Sequence, residues 1–249
     1  MLQNIMFVIS YDGTNYCGWQ KQKNGITIQE VIERACLKIF KKKIEVLGSS
    51  RTDSGVHAEY QVVTIQVETN ITIDKIPIVF NQMLPLDIVV RDARYVPIKF
   101  HPIKDVKYKI YKYNILYSDT RVPKLKNYTC FYYKQLDLEA MNYAVKQFIG
   151  TYDFKAFCSS KTVTKTTVRT IFDMKIKNEN NIISIYVKGN GFLHNMVRII
   201  VGTLIKVGEK KIDKDEIKNI IYSKDRKLAG PTAPPQGLTL EYVEYGEIR

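Results

Sequence analysis

The chain has 249 residues, 45% of them hydrophobic and 25% charged, which suits one large domain or two halves able to bury a core without disulfides or a structural metal. Its net charge is +13, distributed as +2 over residues 1–103 and +11 over residues 104–249, and a one-sided positive excess points to a polyanionic partner or, more plainly, to a lysine-rich solvated surface. No run of about 18 apolar residues exists to cross a membrane, no CxxC occurs among the four cysteines, and the three histidines lie far apart, so a sequence-local zinc site is not expected.

Ile5 to Ser10 is an apolar run that passes directly into Asp12-Gly13-Thr14. It reads as a first strand and turn, not a signal peptide, and a reducing cytoplasm is the expected compartment. Apolar residues at 28, 31, 32, 35, 36, 39 and 40 have helical spacing, which predicts a helix over 28–42. Between the short run Ile44 to Leu47 and a strand over 62–67 lies Gly48-Ser49-Ser50-Arg51-Thr52-Asp53-Ser54-Gly55-Val56-His57-Ala58. The plain reading of this segment is a turn, because Asp, Ser and Gly favour turns. The chemical reading makes Asp53 a reacting carboxylate, kept ionised by a nearby guanidinium such as Arg51. A second helix is expected over 74–83, with Pro77 in its first turn where proline is tolerated, and a strand from Ile88 to Val96.

In the second half, Lys107 to Tyr117 alternates as a strand should, and Lys109-Ile110-Tyr111-Lys112-Tyr113 is expected to place aromatics on one face and cations on the other. Such a strand is either half-buried with snorkelling lysines or offers a tyrosine to a nucleobase. An amphipathic helix is predicted over 136–149, a hairpin from strands 168–177 and 182–188, helices over 192–207 and 212–222, and a closing strand over 238–245. Residues 118–130 and 155–167 read as loops, the latter offering Lys155, Lys161 and Lys165 as phosphate contacts or as solvated charges. Arg198 is an isolated charge in an otherwise apolar helix, so it either reaches the rim or pairs with a carboxylate from elsewhere, Asp53 being available. The Gly189-x-Gly191 pair lacks the later glycine of a dinucleotide fingerprint.

Strands and helices mix without strict βαβ alternation, which predicts an α+β fold with a mostly antiparallel sheet. Arg51-Thr52-Asp53-Ser54-Gly55-Val56-His57-Ala58 closely resembles the signature of the TruA family of tRNA pseudouridine synthases. The likeness extends through Tyr11 to Gln20, Phe100-His101, Tyr111-Lys112-Tyr113, Val168 to Ile171, Gly191 to Gly202 and Ala233 to Leu238. It implies the pseudouridine-synthase fold, with two related α/β halves, 1–103 carrying the aspartate loop and 104–249 completing the cleft, around one central sheet flanked by helices. It implies conversion of uridine to pseudouridine at neighbouring positions of the tRNA anticodon stem and loop, by a homodimer, without cofactor or metal. By the match, Asp53 is the catalytic aspartate, Tyr111 stacks on the target base, Arg51 helps displace the uridine, and Arg198 is the basic partner of Asp53. Two rivals remain: a paralogue acting on another RNA, and an RNA-binding protein without catalysis. One departure stands out: Ser50 occupies a place the family usually gives to glycine, and a serine there is strained if the backbone needs a positive φ.

Overall fold

The computed structural model describes residues 1–159 and 164–248. They form an α+β fold divided into two compact units, Met1–Lys107 with Thr239–Arg249, and Tyr108–Leu238.

In the first unit, β1 (Gln3–Tyr11) is buried along nearly its whole length and lies between two antiparallel neighbours. These are β3 (His57–Val67), with Phe7 opposite Val63, and β4 (Ile88–Val96), with Phe7 opposite Ala93. The two-residue β2 (Leu47–Gly48) pairs with β3 at Thr64 and Val63. The strand β10 (Leu238–Glu244) joins β3 in parallel through Thr239 and Leu240. Two helices supply apolar cover. In α1 (Ile28–Phe40), Thr27 caps the N-terminus by accepting from the Glu30 amide, and left-handed Lys41 ends it. In α2 (Ile76–Met83), Phe80 reaches both Phe7, at 4.8 Å between ring centroids, and Phe40, at 6.0 Å. Several residues of β1 are buried on alternate faces, and the segment after β4 provides further cover. There the Asn4 amide donates to the carbonyls of Pro97 and Phe100, while Tyr245 packs on Phe100 and donates to the Pro102 carbonyl.

The second unit has the strand order β5-β9-β8-β7. Its strands are β5 (Tyr108–Tyr117), β7 (Gly150–Asp153), β8 (Val168–Glu179) and β9 (Ile182–Gly189), all paired antiparallel. The short β6 (Cys130–Tyr132) runs parallel to β5. The expected hairpin closes on Asn180 and Asn181, both with positive φ, 52° and 62°, the geometry that a tight two-residue turn requires. Helix α4 (Met196–Gly208) is almost wholly buried; α3 (Leu138–Gln147) packs against it and also touches α5 (Ile217–Ser223). A Cβ at Gly202 would stand 1.7 Å from the Pro231 carbonyl oxygen, so the backbone of residues 230–233 can lie on α4 only because residue 202 has no side chain.

Several boundaries differ from the sequence reading. Strand β3 begins at His57, not residue 62, drawing the end of the small-residue loop into the sheet. Helix α4 begins at Met196 because Asn195 adopts φ 61° and stops regular helix before it, leaving 189–195 as a turn. β2, β6 and β7 are two to four residues long and carry too little alternation to be read from sequence. Of the lysines suggested as phosphate contacts, Lys155 and Lys165 lie in described loop segments, and Lys161 lies outside the described residues.

Candidate active site

The segment 48–56 enters as β2, leaves as β3, and is fastened at nearly every residue between. Gln61, wholly buried in β3, accepts from the Ser49 hydroxyl at 2.6 Å and donates to the Ser50 carbonyl at 2.7 Å. The Ser49 amide donates to the Val62 carbonyl. The Thr52 hydroxyl lies 2.8 Å from the Tyr11 hydroxyl, and its carbonyl accepts from the Trp19 amide at 3.0 Å. The Asp53 carbonyl closes a turn by accepting from the Val56 amide, with Gly55 at φ 76° supplying the left-handed position. The half-buried Asp53 carboxylate is therefore carried on a backbone held on both sides, the arrangement that keeps a reacting group in place. Arg51 is exposed beside it.

Three glycines let the N-terminal segment press against this loop. A Cβ on Gly13 would meet the Val56 carbonyl oxygen at 2.0 Å, one on Gly18 the Thr52 carbonyl oxygen at 2.6 Å, and one on Gly48 the Trp19 ring at 2.4 Å. Trp19 is 2% exposed. The Gly13 amide lies 3.1 Å from His57 Nδ1, and the same nitrogen stands 3.1 Å from Asp12 Oδ1, so the buried ring ties the 12–13 turn to the start of β3. His57 is thus part of the frame.

Ser50 is not among the residues with positive φ, so the serine sits in ordinary backbone and the expected strain is absent. Its hydroxyl is buried and makes no hydrogen bond among the described residues. The place of the usual glycine is filled at a polar cost, not a conformational one.

In the second unit, Tyr111 is 7% exposed on β5 and meets Phe192 edge-on, with centroids 5.2 Å apart and planes at 87°. The strand does not separate aromatics from cations as expected. Residues 109, 111 and 113 share one face, so Lys109 lies on the tyrosine face. Lys112, on the other face, sits 5.7 Å over the Tyr186 ring, with Lys175 at 5.5 Å. Burial, and then the nearby Arg169 charge, push the Lys109 amine down to about 8. Burial likewise pushes the Tyr113 phenol up, with Cys130 adding to the rise and Arg198 opposing it. The Tyr113 hydroxyl donates to the Pro234 carbonyl at 2.8 Å.

Arg198 is aimed from within its own unit. Its Nε donates to the Ala233 carbonyl at 2.7 Å and its Nη1 to Asn195 Oδ1 at 2.9 Å, while the Ala233 amide returns a bond to the Arg198 carbonyl. The left-handed Asn195 that delays the helix is thus also a partner of the guanidinium. Asp53 and Arg51 belong to the first unit, Tyr111 and Arg198 to the second. Gln61, the three glycines, Asn195, Lys109 and Arg169 were not singled out as site residues by sequence reasoning. The tight packing demanded by Gly13, Gly18 and Trp19 was foreshadowed only by the extent of the family likeness around them.

Among the described residues no group of three or more His, Cys, Asp or Glu side chains stands together to ligate a metal, and no helix is long and apolar enough to cross a membrane. A family model described as tRNA pseudouridine synthase matches residues 7–103 and 144–246. A tRNA pseudouridine synthase A from Thermoanaerobacter sp. (strain X514) is 46% identical over 244 residues, covering 98% of this chain and 100% of the relative. A tRNA pseudouridine synthase A 2 from Clostridium perfringens (strain 13 / Type A) is 47% identical over 244 residues with the same coverage. A tRNA pseudouridine synthase A from Geobacter sp. (strain M21) is 44% identical over 248 residues, covering 99% of this chain and 100% of the relative. With a loop built to hold one aspartate and a match along both units, the chain belongs to the tRNA pseudouridine synthase family.

Proposed function

We propose that this protein isomerises uridine to pseudouridine at neighbouring positions of the anticodon stem and loop of tRNA, with Asp53 as the reacting carboxylate. The observation that carries the assignment is the fastening of residues 49–56, which fixes the backbone on both sides of Asp53. The reaction breaks the N1–C1′ bond, turns the uracil, joins C5 to C1′, removes the C5 proton and returns a proton to N1. The base must first leave its stack, which costs a few kcal/mol. Arg51, exposed within the loop, takes the vacated space or holds the backbone. Tyr111 stacks on the displaced base, worth about 1–3 kcal/mol. Asp53 then works at the sugar, by attack on C1′ or removal of the 2′ proton, and both routes require it ionised. Arg198 is the proposed counter-charge that offsets the desolvation of that carboxylate. The protein is proposed to act as a homodimer, in the cytoplasm, without metal or cofactor.

The test is tritium release from tRNA carrying 5-tritiated uridine. Asp53→Asn should bind tRNA with near-normal affinity and release no tritium above background. Turnover by that variant would overturn the assignment of Asp53. Absence of release by the unaltered protein on any tRNA transcript would leave an RNA-binding protein.

A further inference from the structure

We propose that Lys109 and Arg169 together bind one phosphodiester of the RNA, the one flanking the uridine whose base stacks on Tyr111. This rests on the reading of the protein as a tRNA-modifying enzyme and adds a site to it.

The two cations come together through strand register. Lys109 stands opposite Gly189, and Gly189 opposite Ile171. Arg169 lies two residues before Ile171 on β8 and so shares its face. The Arg169 guanidinium is held in place: Nη1 donates to the carbonyls of Thr166 at 2.9 Å and Val168 at 2.7 Å, leaving Nε and Nη2 without a hydrogen bond among the described residues. Its side chain passes over Gly191, where an added Cβ would lie 3.8 Å from both Cδ and Nε. The turn between them is fixed by two bonds, from the Asn190 amide to the Thr170 carbonyl and from the Thr170 amide to Asn190 Oδ1. Phe192 closes the other side, touching Gly189 and standing edge-on to Tyr111. A strip thus runs from Arg169, over a glycine turn, to Lys109, with Tyr111 two residues further along the same strand.

Two half-buried like charges side by side repel each other, and burial already disfavours both charged forms. An anion placed between them converts the repulsion into two attractions. Asp153 accepts from Thr167 and pairs with Lys224, and Asp173 stands opposite Lys188. Lys188 belongs to the other face, where it covers the Tyr108 ring at 3.8 Å. An arginine with a fixed plane beside a lysine, next to an aromatic platform, suits a phosphate attached to a stacked base.

The experiment uses the full chain with an unmodified tRNA transcript and with transcripts carrying a single methylphosphonate at each phosphate flanking the target uridine. Affinity is read over a salt series, and tritium release is measured separately. The Lys109→Gln/Arg169→Gln double variant should bind the unmodified transcript at least roughly tenfold more weakly. Its log K against log salt slope should be shallower by about 0.7–0.9, one phosphate's worth. One methylphosphonate should cause the same loss in the unaltered protein and no further loss in the double variant, while Lys109→Arg keeps normal binding. The loss in tritium release should fall more on KM for tRNA than on kcat. Additive losses from neutral phosphate and double variant, or an unchanged salt slope in a variant that folds normally, would overturn the proposal. An unaltered protein that shows this binding signature but releases no tritium would overturn the isomerase reading and leave the phosphate site standing.

Discussion

Gln61→Met isolates what holds the aspartate loop in place. Methionine fills nearly the volume of glutamine, so packing in the buried β3 position is kept, while both side-chain hydrogen bonds are lost. The Ser49 hydroxyl loses its bond to Gln61, and the Ser50 carbonyl loses its side-chain donor. The lost Ser49 bond is worth about 1 kcal/mol, and the Ser50 carbonyl deprived of this donor costs about 1–3 kcal/mol, which gives about 2–4 kcal/mol together. For a chain of this size each kcal/mol moves the midpoint by about 2–4 °C, so thermal unfolding should shift down by roughly 4–16 °C. The effect on catalysis follows from geometry: Asp53 lies three residues beyond Ser50, and a displacement of about 1 Å costs on the order of a hundredfold. Tritium release should therefore show kcat reduced by roughly ten- to a hundredfold, with KM for tRNA little changed, because the RNA-binding side chains are untouched. A Gln61→Met protein with unchanged midpoint and unchanged kcat would refute the claim that these two bonds position Asp53.

Ser50→Ala deletes the buried hydroxyl that lacks a partner; denaturant unfolding should show equal or greater stability, by up to about 1–2 kcal/mol, and a loss of that size would show the hydroxyl to be bonded. Gly13→Ala places a Cβ 2.0 Å from the Val56 carbonyl oxygen, a backbone clash that no rotamer relieves, and should cost about 3 kcal/mol or more along with activity; a fully stable, active variant would disprove the close approach. Glu209 is held down to about 2 by Lys206 first and by the hydrogen bond from Tyr132. A depressed carboxylate contributes stability that is present above its ordinary pKa and is lost as pH falls toward the folded value. The unaltered protein should therefore lose more stability than Glu209→Gln between about pH 5 and pH 2, and parallel curves for the two would refute the coupling.

Long segments with clear periodicity were legible in the sequence: the helices near 28–40 and 76–83, the paired strands 168–179 and 182–189, and the tyrosine strand of residues 108–117. The aspartate loop was legible as a loop because small residues and glycine lie between two apolar runs. What holds it was not legible, since Gln61 reads as an ordinary polar strand residue until its contacts with residues 49 and 50 are known. The face of Lys109 was open to simple counting, because residues two apart on a strand point the same way; the alternation of names, Lys and Tyr, obscured the alternation of positions. The start of α4 depended on one left-handed asparagine, Asn195, which hydrophobic spacing cannot register. Ser50 was a question of backbone angle, and a substitution relative to a family pattern does not by itself reveal the φ that the residue adopts.

The strand β10 brings residues from the far end of the chain into the first unit. During synthesis, β1 and β3 emerge early, but the edge of β3 beside residues 57 and 58 has no partner until residues 239 and 240 have been made. At about 5–20 residues per second that interval is on the order of 10–35 s. Throughout it, the frame below the aspartate loop presents unpaired strand backbone of the kind that recruits other chains. The first unit is thus first in sequence but completed last, and a ribosome stalled within the second unit would hold an aspartate loop whose supporting strand still has an open edge.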